Sequence, residues 1–63
     1  MKYSELEKKL EETTNCRLYR KGGNHPIWIN PETGEWFAMS HHHSQEVKPG
    51  TLKSIIKKSG VKL

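Results

Sequence analysis

The sequence predicts one small α+β domain of element order α-β-β-β-α, on three observations. Two segments, one near each end, carry apolar residues at helical spacing. The segments between them alternate with the two-residue period of a strand or run apolar on both faces, as a central strand does. Gly and Pro fall at the joins between segments and not inside them. Three antiparallel strands with one covered face need both amphipathic helices on that face, which leaves the other sheet face open. The chain, residues 1–63, is one domain at most. A chain of this length buries only about 60% of the surface its unfolded form exposes, so the fold is marginal alone and gains from a partner. Too little chain remains to wall a deep pocket, and no small-molecule cofactor is expected.

The first helix is predicted over residues 4–13. Ser4 and Glu7 have the spacing of a capping box. Tyr3, Leu6, Leu10 and Thr13 share one face, while Glu5–Lys9 and Lys8–Glu12 pair on the wet side. Thr14 and Asn15 end the helix. Residues 16–21 then alternate, with Cys16 and Leu18 on one face and Arg17, Tyr19 and Lys21 on the other. Gly22, Gly23 and Asn24 break that strand with residues that accept positive φ. Residues 26–30 are apolar on both faces, as a central strand would be, and Pro26 is tolerable only at its start. Residues 31–34 make a turn with Pro31 and Gly34 in turn positions. Residues 35–39 alternate again and close a hairpin. Residues 40–48 form a polar loop holding His41, His42 and His43. Pro49 opens the last helix, Leu52, Ile55 and Ile56 form its buried stripe, Lys53, Lys57 and Lys58 point elsewhere, and Gly60 stops it.

Composition narrows the class. No apolar run approaches the roughly 18 residues of a membrane span, and the first dozen residues lack the apolar core of a signal peptide. A single cysteine, Cys16, forms no internal disulfide, which fits a reducing cytoplasm. The net charge is +4, and it is unevenly spread. Residues 1–15 sum to −1 and residues 16–63 to +5. A basic domain behind an acidic leading segment points to a polyanion, with nucleic acid first and a merely soluble basic protein as the plain alternative.

His25 is the residue with most chemical potential. It follows a Gly-Gly-Asn break, Pro26 pushes it into extended backbone, and Arg20 and Lys21 lie on the preceding strand. An imidazole there can exchange a proton beside a phosphate; the plain alternative is a histidine with no task. His41, His42 and His43 are consecutive, so they point in different directions, and no cysteine pair or helical His spacing supports a metal site. The lysines after residue 47 either solvate a helix face or touch phosphates. Arg17, Tyr19, Arg20 and Lys21 interleave cations with an aromatic ring. With Phe37 and Met39 in the core, Trp36 stands on the open sheet face; the alternative is a position wedged against a helix edge. Cys16 reads as core, Glu32 and Glu35 as solubilising turn residues, and no phosphate-binding glycine loop or catalytic triad is present.

Taken together, the short helix, the strand ending in Arg20, Lys21, Gly22 and Gly23, His25 at its lip, the hairpin, and the run Glu46 to Lys57 resemble the HicA toxins. These are the messenger-RNA interferase half of HicA–HicB toxin–antitoxin modules. Lys48, Pro49, Gly50, Thr51 and Leu52 before a basic helix are the most specific part, and the resemblance spans nearly all of residues 3–63. It implies a fold like a double-stranded-RNA-binding domain, with a catalytic histidine carried onto His25. The function implied is the toxin of a type II module, a metal-independent endoribonuclease that cleaves mRNA and arrests growth. Arg20, Lys21, Gly22, Gly23, Lys48, Lys53 and Lys57 are then the RNA-binding residues. A HicB-type antitoxin is the protein partner, contacting Tyr19, His25 and Trp36. Two departures stand out: Gly23-Asn24-His25-Pro26 replaces the frequent Gly-Ser-His, and Ser40 stands where a proline is common. The rival reading is a non-catalytic RNA-binding or antitoxin-binding module of the same fold. His25 separates the two, because a binding module needs no imidazole at that strand lip.

Overall fold

The computed structural model describes residues 1–23 and 25–63. The elements run α1 (Tyr3–Thr13), β1 (Arg17–Gly22), β2 (His25–Ile29), β3 (Trp36–Ala38) and α2 (Pro49–Ser59). The sheet is antiparallel with order β1-β2-β3, so the doubly apolar segment is the central strand, as its composition predicts. Leu6 and Leu10 of α1, Trp28 and Phe37 of the sheet and Ile55 of α2 share one core with Cys16, Met39, Val47 and Val61. Both helices therefore cover the face that presents Trp28 and Phe37. The architecture is the α-β-β-β-α expected, and it agrees with a double-stranded-RNA-binding-domain-like fold.

Helix α1 starts earlier than its sequence suggests. Lys2, not Ser4, is its N-cap, and the Glu5 carboxylate accepts from the Lys2 N–H at 3.0 Å. The N–H groups of Tyr3 and Ser4 donate to the carbonyls of Gln45 and His43, each at 3.0 Å. The histidine loop thus supplies acceptors that a capping serine would otherwise provide. Glu7 is released from the expected box, and its Oε2 lies 3.4 Å from His43 Nε2.

Strand β1 carries a second correction. Arg17 pairs with Ile29 and Leu18 with Trp28, but Arg20 pairs with Ile27, so Tyr19 is an inserted residue. Such a bulge reverses side-chain phase for everything after it. Tyr19 and Arg20 share the open face with Ile27 and Trp36, and Lys21 turns to the helix side, beside Pro26, Glu7 and Glu11. The expected grouping of Tyr19 with Lys21 is therefore wrong. Leu18 keeps the covered phase but is 40% exposed, because β1 is an edge strand.

The stripe of α2 also differs. Ile55 is buried, Leu52 is partly buried, and Ile56 is exposed. Ser59 takes the third inward position, its hydroxyl donating to the Ile55 carbonyl and accepting from the Val61 N–H. A small hydroxyl with both partners met fits where a third branched side chain would crowd Val61 and Cys16. Gly60 ends the helix with φ +73°, as expected of a left-handed cap. Asn30 fastens the β2–β3 turn to this end. Its amide donates to the Lys58 and Ser59 carbonyls at 3.0 and 3.4 Å, and its Oδ1 accepts from the Glu32 N–H.

Candidate active site and nucleic-acid interface

His25 opens β2 opposite Gly22, with Gly23 at φ +57° in the connection. Asn24, part of the expected break, lies outside the described residues. The imidazole is exposed, and its Nδ1 is 3.2 Å from the Met39 carbonyl oxygen. The Met39 N–H donates to the Pro26 carbonyl at 2.9 Å. Met39, just after β3, therefore holds both the strand and the ring through its backbone. A carbonyl only accepts, so this contact is a hydrogen bond when Nδ1 carries the proton. The neutral ring then presents an unprotonated Nε2, which is the state a base requires.

In strand alternation His25 is in phase with Ile27 and Ile29, which face Arg20, Ala38, Arg17 and Trp36 across the sheet. None of the three described strands contains Asp or Glu. The sheet carries Arg17, Arg20, Lys21 and His25 instead, while four of the seven carboxylates sit on α1. Tyr19 and Trp36 are 64% and 61% exposed, and Trp36 stands on the open face while also bordering the groove between β3 and α2.

The other expected residues are not all gathered there. Lys53 and Lys57 are exposed and lie one turn apart, on the side of α2 roughly opposite Ile55 and Ser59. Lys48 is the N-cap of α2. Lys58, expected to point away with Lys53 and Lys57 and not counted among the RNA-binding residues, is instead half-buried and borders a groove with Trp36, Ala38, Thr51 and Ser54. Its spacing from Thr51 and Ser54, seven and four residues, was the available signal. Gly22 and Gly23 form the lip beside His25, as expected. His41 and His43 line a separate cleft between α1 and β1 with Glu7, Glu11 and Lys21. No helix among the described residues is long and apolar enough to cross a membrane.

Residues 3–61 match the family model described as the HicA toxin of bacterial toxin–antitoxin systems. The chain belongs to the HicA toxin family. Comparison with curated proteins and with solved structures finds no match. Membership makes this HicA chain the toxin half of a toxin–antitoxin module, with an antitoxin as its counterpart. At that general level it supports a nuclease. The HicA resemblance read from Lys48 to Leu52 and from His25 is thus upheld at family level across nearly the whole chain.

Proposed function

We propose that this HicA-family toxin is a metal-independent endoribonuclease acting on messenger RNA, with His25 as its general base. The observation that carries the reading is the contact of His25 Nδ1 with the Met39 carbonyl, which engages one ring nitrogen and not Nε2, at an exposed sheet edge whose described strands hold no carboxylate. RNA brings its own nucleophile. Nε2 takes the proton of a ribose 2′-hydroxyl, the 2′-oxygen bonds to the adjacent phosphorus, and the bond to the 5′-oxygen breaks. The leaving oxygen takes a proton from water. The products are a 2′,3′-cyclic phosphate and a 5′-hydroxyl. In this reading Arg20 and the backbone N–H groups near Gly22 and Gly23 offset the growing phosphate charge. Lys21, Lys48, Lys53 and Lys57 add to the field that draws in a polyanion.

The antitoxin, of HicB type, covers the open face over Tyr19, His25 and Trp36 and blocks the substrate by sterics. Binding only the folded toxin, it raises the melting temperature of the pair. The test is induced expression of the chain beside His25→Ala in a cytoplasm, with end-group analysis of the cleaved RNA. Growth arrest and cyclic-phosphate ends that vanish with His25→Ala, and persist in EDTA, are expected. A folded His25→Ala protein that cleaves at the original rate overturns the reading, and leaves the non-catalytic binding module as its successor.

A further inference from the structure

The bulge at Tyr19 turns its ring outward, to stand with Arg20 over the same open face as Trp36. Tyr19, Arg20, Ile27 and Trp36 line one shallow depression there. Its two rings come from the outer strands, roughly 10 Å apart, and its floor is the central strand. His25 lies two residues from Ile27 in the same phase, about 6.6 Å along the strand, close to the length of one nucleotide. Two exposed aromatic rings with an arginine lining the same depression have the chemistry that stacks a flat π-surface and holds a phosphate beside it.

We propose that this depression is a base-stacking subsite that seats an unpaired nucleobase next to the phosphate at His25. The proposal rests on the endoribonuclease reading for the meaning of that phosphate, and it names the substrate as single-stranded RNA. Duplex RNA offers phosphates, 2′-hydroxyls and a shallow groove, and its stacked bases cannot enter between two side chains. The resemblance of the fold to a double-stranded-RNA-binding domain therefore does not carry over to the substrate. Charge favours RNA over an acidic protein segment as the occupant only in company with the rings: the described strands hold no carboxylate, and Arg20 lines the depression beside the two rings.

The test uses the full chain, and its His25→Ala form for binding, with a short single-stranded oligoribonucleotide and the same strand annealed to its complement. Binding is read by fluorescence anisotropy of a labelled strand, and stacking by quenching of tryptophan emission. Tyr19→Ala and Trp36→Ala should each weaken single-strand binding about ten- to hundred-fold, with Tyr19→Phe and Trp36→Phe largely restoring it. One abasic position beside the scissile bond should slow cleavage by the same factor, and the annealed duplex should bind weakly. Both positions are exposed, and circular dichroism checks that the variants fold. If the chain binds single strands through these rings yet never cleaves, the subsite stands and the nuclease reading falls. If cleavage and binding are unchanged in both alanine variants, or only antitoxin binding is lost, the subsite is overturned.

Discussion

Trp28 and Trp36 sit on neighbouring strands one register step apart, and the sheet turns them to opposite faces. Trp28 pairs with Phe37 and is 6% exposed; Trp36 pairs with Ile29 and is 61% exposed. On the covered face, large apolar side chains meet Leu6, Leu10 and Ile55, and their burial holds the fold. On the open face, comparable side chains meet solvent and contribute little to folding. In so small a domain, large apolar groups left out of the core are available for recognition. In the proposed function, folding and activity divide by strand phase, and substitutions on the two faces should separate stability from activity.

The sharpest division is between His25 and Leu10. His25→Ala should reduce cleavage by about 10²–10⁴-fold while moving stability by no more than about 0.5 kcal/mol, since the ring is exposed. Leu10→Ala empties a fully buried position and should cost about 2–5 kcal/mol. That is a large share of what a domain this small has, so the variant should be mostly unfolded by denaturant titration or heat. Trp36→Ala should unfold with the parent. A large stability loss at Trp36, or none at Leu10, breaks the division.

Asn30 adds an intermediate case on the covered side. Asn30→Ala removes the donor shared by the Lys58 and Ser59 carbonyls and the acceptor for the Glu32 N–H. The expected cost is about 1–3 kcal/mol, read in the unfolding midpoint at unchanged denaturant slope.

What was legible in the sequence follows the same physics. Period and punctuation disclose Leu6, Leu10, Phe37 and Met39 as core, because each lies in an uninterrupted stretch of pattern, and they leave Trp36 open between the free sheet face and a helix edge. They could not disclose the bulge at Tyr19, since an inserted residue leaves the local pattern intact and shows only in the pairing with β2. The same holds for the α1 cap. Ser4 has the right spacing to Glu7, but the loop carbonyls of His43 and Gln45 reach those N–H groups from far along the chain. Val47, alone in a polar loop, and Val61, beyond the helix stop, gave no periodic signal and yet fill the core. The position of His25 at the strand lip was legible from its Gly and Pro neighbours, whereas the Met39 carbonyl beside its Nδ1 was not.

Charge sharpens the comparison at a smaller scale. Lys53 and Lys57 stand out in the sequence as a basic face, but they point away from the core on α2, whereas Arg20 shares the open face with Ile27 and Trp36. Arg20→Glu should therefore weaken RNA binding more than Lys53→Glu and Lys57→Glu together. Removing one phosphate-binding side chain should flatten the logarithmic salt dependence of binding by about one unit. Equal weakening by the two sets would make the α2 face part of the interface.

The smallest effect compares two glycines that are alike in conformation and different in place. Gly23 and Gly60 have φ of +57° and +73°, and a Cβ at either would meet nothing within 4 Å. Alanine at either position thus meets backbone strain alone, about 1 kcal/mol for a left-handed residue. Gly60 caps α2 on the covered side, so Gly60→Ala should shift the melting temperature and leave the rate per folded molecule unchanged. Gly23 sits two residues before His25, at the lip where backbone N–H groups face the phosphate in the proposed site. Gly23→Ala should shift the melting temperature by a similar amount and in addition lower the cleavage rate, because relief of strain there moves the lip and the imidazole together. Cleavage measured well below both melting temperatures isolates that second effect. Matched rates in the two variants would show that His25 is held by Met39 and Pro26 alone, with the glycine lip taking no part in catalysis.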